Sequence, residues 1–295
     1  MNEIILSNDV IRVGILPDVG GSLSFFKYLK NGEEFDILRP AEKGVADPNG
    51  SAMFLMAPYC GRIRGGNFVY WGITRKVPKN QVGIQDPIHG DAWKAVFDVV
   101  SCSKDQAVLK MCHGKNDAGY PFSYEMTVTY TLTGHKLNVS MEIKNTTPLP
   151  MPCGLGVHPY FNKEKDVELD FTTKMVWSNW SDPIFDKPYA TPESWQFSGG
   201  QALKNAVFDT CFGGFDGTAK VIYPDAGVYV TMTAGSAFGH VVLYAPKGKG
   251  FFCLEPCTNA QNAFNLAAGG MVGTGIQSIG PNQVFTGDVS FEVQG

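Results

Sequence analysis

The 295-residue chain contains no run of 18 apolar residues, no Cys-x-x-Cys pair and no cluster of Lys or Arg. The first absence leaves nothing to span a membrane as a helix. The N-terminal MNEIILSNDV lacks both the basic start and the apolar length of a signal peptide. The second absence bears on redox setting. The seven cysteines lie scattered at 60, 102, 112, 153, 211, 253 and 257, which argues against a disulfide framework and for free, mostly buried thiols in a cytoplasmic protein. The third absence, with a formal charge of −4 from 24 basic and 28 acidic residues, argues against nucleic acid as a partner. Also missing are a Gly-x-Ser-x-Gly elbow, a phosphate-binding loop and a dinucleotide fingerprint, so hydrolase, kinase and dehydrogenase readings lose support. No two of the five histidines stand at i, i+2 or i, i+4. The spacing therefore predicts no metal site and no cofactor.

Helical patterning is scarce too: no apolar pattern at helical spacing extends beyond about two turns. Short helical pieces are expected only around Asn205–Val207 and Ala260–Asn265. What the chain has instead is punctuation, 34 Gly and 18 Pro, between short β-branched and aromatic segments. Asn31-Gly32 separates Ser22–Lys30 from Glu33–Leu38 as a hairpin turn would. Phe122–Leu132 alternates, and so does His135–Asn145, with Leu137, Val139, Met141 and Ile143 on one face. The same period of two recurs in Ala219–Tyr223, Val228–Thr233, His240–Tyr244 and Phe285–Val293. Trp180–Leu203 is loose but holds aromatic residues, and reads as a long packed loop rather than a boundary. The expectation is an all-β chain: one large antiparallel β-sandwich domain over residues 1–295.

Chemistry has to come from polar groups in apolar settings. His158, in GLGVHPYF, must find a partner or lose its charge; the plainer alternative is a satisfied core histidine. His89, in PIHGDAW, adjoins Gly90, where a ligand can approach the backbone, and Trp93, a flat face for a sugar ring. A loop histidine beside a core tryptophan is the alternative. Glu255 ends the apolar FFCL, where a carboxylate has a partner or a raised pKa, as a general base needs; a structural ion pair is the other possibility. Arg62 and Arg64, in PYCGRIRGGNF, would share a face if that segment is a strand, about 7 Å apart. Asp209, in VFDTCF, taken alone suits a turn or cap. His113 and His135, in polar settings, are expected at the surface.

Together and in order, PYCGRIRGGNF (58–68), PIHGDAW (87–93), VHPYF (157–161), FDTCF (208–212) and LEPCTNAQNAFN (254–265) resemble the aldose 1-epimerase, or mutarotase, family. The Gly-rich opening IRVGILPDVGGSLSFF also fits. The resemblance implies a galactose mutarotase-like supersandwich that interconverts the α and β anomers of an aldose. It implies Glu255 as catalytic base and His158 as catalytic acid, with sugar-hydroxyl contacts from Arg62, His89 and Asp209, His89 also near the ring oxygen. Arg62 is preferred over Arg64 because it precedes the Ile of the family's Asn-Arg-Ile pattern; Gly61 stands where that pattern has Asn. HGDAW replaces the commoner His-Gly-Gly.

In the implied reaction Glu255 takes the anomeric hydroxyl's proton while His158 protonates the ring oxygen, the open aldehyde rotates about C1–C2, and the ring recloses. The productive state would hold Glu255 ionised and His158 protonated. The partner expected is a small-molecule sugar, with neither membrane nor nucleic acid, and the chain a monomer or homodimer. Three alternatives stay open. One is an epimerase of an anionic sugar, a hexose 6-phosphate or a sulfonated hexose, with Arg64, Lys76 and Lys79 as charges. Another is a non-catalytic carbohydrate-binding protein. The third is a glycosidase using Glu255 and Asp209.

Overall fold

The computed structural model describes residues 3–114, 117–163, 166–178, 187–203 and 206–295. Alternating apolar segments pair as antiparallel strands wherever a turn lets the chain reverse. At Asn31 and Gly32 φ is +52° and +85°, the left-handed pair that a two-residue hairpin turn demands. It joins Ser22–Lys30 to Glu33–Leu38. Tyr124–Thr133 and Lys136–Asn145 pair over their full length, Leu132 against Leu137 at the turn and Tyr124 against Asn145 at the far end.

Among the described residues, eleven strands form one sheet and nine form a second. Leu137, Val139, Met141 and Ile143 are fully buried on the inner face of the nine-stranded sheet. Phe291, from the Val284–Gln294 strand of that sheet, meets Phe26 and Phe161 of the larger one, with ring centroids 6.4 and 6.3 Å apart. The core is the layer between the two sheets, and the sandwich is the expected architecture.

The larger sheet differs from the smaller because its central strands are buried on both faces. In the Phe251–Cys257 strand, Phe252 and Leu254 enter the core between the sheets. The alternate residues Cys253 and Cys257 join a second apolar cluster with Phe54, Met56, Trp93, Tyr160, Cys211 and Val242. A period of two sorts side chains to opposite faces, so this second cluster covers the outer face. The candidate site lies there.

Two local expectations change. The helical piece expected at Ala260–Asn265 forms as Ala263–Ala268, three residues later, because Asn259, Gln261 and Asn262 are engaged elsewhere. Ala206 and Val207 are not helical, and Asn205 lies outside the described residues. In the Trp180–Leu203 stretch, 180–186 lie outside them as well. The remainder packs as expected: Phe197 is buried and stacks on Phe171 at 4.8 Å. Among the described residues no helix is long and apolar enough to cross a membrane.

The packing makes a plain prediction. Met141→Ala empties a fully buried position and is expected to cost about 2–5 kcal/mol. Glu142→Ala, on the exposed face of the same strand, should stay within about 0.5 kcal/mol. Urea unfolding of the two variants checks the assignment of faces.

Candidate active site

Five strands of the large sheet bring their outward residues to one patch. His158 comes from Gly156–Asn162 and Glu255 from Phe251–Cys257, neighbours whose register pairs Gly156 with Cys257 and Tyr160 with Cys253. His158 therefore stands across from Glu255. Val242 and Tyr244 come from His240–Ala245, and Asp209 from Phe208–Gly213. Phe54, from Met53–Met56, stacks its ring on His158 at 4.3 Å. Above them opens a cleft of about 400 Å³, lined by Arg62, His89, His158, Asp209 and Glu255 among others. All five residues singled out in the sequence thus line one cavity.

Arg62 and His89 are held by loops, and the TNAQN segment shows how. Asn259 Oδ1 accepts from Cys60 N–H at 3.0 Å, Gln261 Oε1 from Arg62 N–H at 2.8 Å, and Asn262 Oδ1 from Arg64 N–H at 3.0 Å. Three alternate amides of one segment are therefore received by side chains from another, as buried backbone donors require. Glycine suits residue 61: φ is +70° and a Cβ would lie 2.2 Å from Gln261 Oε1, displacing the amide that holds Arg62 N–H. Gly61 N–H donates to His89 Nδ1 at 3.2 Å, and His89 N–H donates back to Gly61 O at 2.9 Å. An Nδ1 that accepts bears no proton, so the neutral His89 ring carries its proton on Nε2.

The catalytic candidates touch. His158 Nε2 lies 3.2 Å from Glu255 Oε1, with both residues almost fully buried. Burial, then the nearby Asp209, pushes the Glu255 carboxyl well above its usual range, against the pull of Arg62. Burial pushes His158 down to about 3, and the Arg39 guanidinium adds to this. The proton the two groups share is therefore favoured on the carboxyl, because desolvation disfavours both charged forms at once. The expectation of an ionised Glu255 beside a protonated His158 belongs to the productive state. The two arrangements are tautomers of equal net charge, one proton transfer apart. Burial likewise lowers His89, helped by His158 and Arg62, and raises Asp209, with Arg62 opposing.

Three expectations fail. Residues 64–66 form a 3-10 turn rather than a strand, with Gly65 at φ +66°. Arg64 is exposed and does not line the cleft. Trp93 is fully buried, packed on Phe54 at 5.1 Å and donating from Nε1 to Gly90 O at 2.9 Å, so no sugar can stack upon it. His113 is buried rather than at the surface. Its Nε2 meets Tyr120 O at 2.8 Å and its Nδ1 lies 3.2 Å from Asp91 Oδ2. Asp91, two residues after His89, also accepts from the Tyr124 hydroxyl and from Tyr120 N–H. His135 is exposed, as expected.

The sequence reading missed Asn49, Gln81, Tyr244 and Gln261, which also line the cleft. Of these only Gln261 had a signal, its place in TNAQN. It also missed Cys253. The ligating atoms of His158, Cys253 and Glu255 all lie within 4.8 Å of one another, a donor set that local spacing cannot show because it crosses two strands.

The aldose 1-epimerase family model matches residues 4–291. The chain belongs to that family. Among curated proteins it is 25% identical over 269 residues to YphB of Escherichia coli K12, an uncharacterised protein, covering 88% of this chain and 89% of that one. A candidate aldose 1-epimerase of Escherichia coli K12 superposes with a TM-score of 0.89 at 22% identity, over 99% of both chains. A galactose mutarotase-like protein of Clostridium acetobutylicum gives 0.86 at 20% identity, over 99% of this chain and 95% of that one. At such identities the superpositions show the shared fold.

The buried carboxyl has a consequence for stability. Unfolded, Glu255 ionises above its ordinary value of 4.5; folded, it keeps its proton far beyond that. As pH rises above about 4.5 the unfolded state therefore binds fewer protons than the folded one, and stability falls. Glu255→Gln removes this loss. Its melting temperature is expected to exceed the wild type's at pH 8, with a gap that narrows toward pH 4.5. Thermal unfolding across that range is the measurement; a variant less stable at pH 8 contradicts a neutral buried carboxyl.

Proposed function

We propose that this protein is an aldose 1-epimerase acting on a neutral hexose through Glu255 and His158. The observation that carries the reading is the contact between them, carboxyl oxygen to imidazole nitrogen at 3.2 Å on the floor of the cleft. Mutarotation exchanges protons at two oxygens bonded to one carbon, the anomeric hydroxyl and the ring oxygen. An acid and a base that touch each other can each reach one of those oxygens. Transfer of the shared proton from Glu255 to His158 gives the reacting pair. The carboxylate then takes the hydroxyl proton as the imidazolium protonates the ring oxygen, and C1–O5 breaks. After rotation about C1–C2 the ring closes with the roles reversed. His89, with its proton on Nε2, is a donor for the ring oxygen or a hydroxyl. Arg62 and Asp209 hold hydroxyls on the other walls.

Substrate charge follows from the same lining. Among the described residues Arg62 is the one Lys or Arg on the cleft, faced by Glu255 and Asp209. A phosphate dianion ordinarily needs two or more convergent cations. An adjoining hollow shares Asn49 and Gln81 with the cleft and holds Lys79, Lys94 and Asp47. That hollow gives the anionic-sugar alternative its best physical case.

Polarimetry on freshly dissolved α-sugars tests both points. Glu255→Gln should lose roughly 10²–10⁴-fold in rate while still binding sugar; a near-wild-type rate would remove Glu255 from the mechanism. Glucose or galactose should be turned over with higher kcat/KM than glucose 6-phosphate or a 6-sulfonated hexose. A roughly tenfold preference for an anionic sugar, lost when Lys79 and Lys94 are replaced by Ala, would move the protein to the anionic branch. Sugar binding with no mutarotation of any aldose would leave the non-catalytic alternative.

A further inference from the structure

We propose that His158, Cys253 and Glu255 form a zinc site on the cleft floor, and that zinc bound there silences the acid–base pair. The donors are an imidazole nitrogen, a thiol sulfur and a carboxylate oxygen, all within 4.8 Å of one another and all on buried residues. That set, with a fourth position left open, is of the kind three-ligand zinc centres use. The strands hold it rigidly. Cys253 and Glu255 stand two apart on one face of their strand, and His158 comes from the neighbouring strand, whose Tyr160 pairs with Cys253.

The sizes fit. Zn–N and Zn–O bonds of about 2.0–2.2 Å and a Zn–S bond of about 2.3 Å set tetrahedral ligand separations of roughly 3.3–3.6 Å. His158 Nε2 and Glu255 Oε1 are already 3.2 Å apart. The widest separation must close by roughly 1 Å, which rotation of the Cys253 and Glu255 side chains can supply. His158 and Glu255 line the cleft, so the fourth position faces the space a sugar would fill.

Charge balance is consistent with that geometry. A thiolate and a carboxylate side by side in a buried pocket repel each other, and one Zn²⁺ between them cancels both charges. The His158 imidazole adds a lone pair. The buried unit is then neutral, which magnesium with its preference for oxygen ligands would not achieve here. The silencing rests on the epimerase reading, since zinc would occupy the nitrogen and carboxylate that reaction uses. The binding does not rest on it.

The test uses the full-length protein freed of metal by chelator and dialysis, with Co²⁺ as a spectroscopic probe and Zn²⁺ as the inhibitor. Co²⁺ is expected to give a near-ultraviolet thiolate charge-transfer band and four-coordinate visible bands, displaced by Zn²⁺. Binding of Zn²⁺ should release protons, since zinc ligates a thiolate rather than a thiol, read in weakly buffered solution. The charge-transfer band should vanish in Cys253→Ser and Cys253→Ala, and survive in Cys257→Ser, a neighbouring buried thiol. Zn²⁺ should slow wild-type mutarotation by roughly tenfold or more, reversed by chelator, and leave Cys253→Ser within about twofold of its own metal-free rate. No band with the wild type, or a band that persists without Cys253, overturns the site. A band with no effect on mutarotation overturns the silencing. A band in a protein whose metal-free form epimerises no aldose overturns the epimerase reading and leaves the zinc site standing.

Discussion

The pairing of Gly156–Asn162 with Phe251–Cys257 is the constraint on which the site depends. Backbone hydrogen bonding between these strands sets their register, and the register places His158 across from Glu255. Side-chain attraction plays a secondary part, since burying an acid and a base costs both of them their charged forms. What keeps the two groups together is the sheet, whose inner face is locked into the core by Phe161, Phe252 and Leu254. A shift of one residue would turn the catalytic candidates into the core and carry Phe252 into the cleft.

The dry floor explains the electrostatics around it. Phe54 stacks on His158, Tyr160 lies 4.7 Å from the same ring, and Trp93 backs His89 at 6.1 Å. In so apolar a setting the charged forms of both His158 and Glu255 are disfavoured. Arg62, Asp209 and His89 supply the polar groups of the cleft around that floor.

The loops contribute by a different route. TNAQN spends three side chains on the backbone of Cys60–Arg64, and Asp91 gathers Tyr120, Tyr124 and His113 beneath the His89 turn. Polar side chains turned toward the backbone and toward one another thus set the positions of Arg62 and His89. Membership of the aldose 1-epimerase family accounts for the overall pattern. At the rim, Asn49 and Gln81 line both the cleft and its lysine-bearing neighbour.

Local chemistry was legible in the chain itself. Alternation in Lys136–Asn145, the Asn-Gly hairpin, and polar residues stranded in apolar runs, His158 and Glu255 above all, depend on neighbours within a few positions. Their meaning survives without coordinates because side-chain period and turn geometry are local properties. Other features only the fold decided. Arg64 left the cleft because Gly65 turns the backbone, Trp93 was sealed by Phe54, and His113 was drawn inward by Asp91, more than twenty residues away in sequence. Cys253 gained its place beside His158 only through the pairing of strands almost a hundred residues apart. Contacts of that kind depend on sheet register and on loop clamps between distant segments, and no local pattern encodes either.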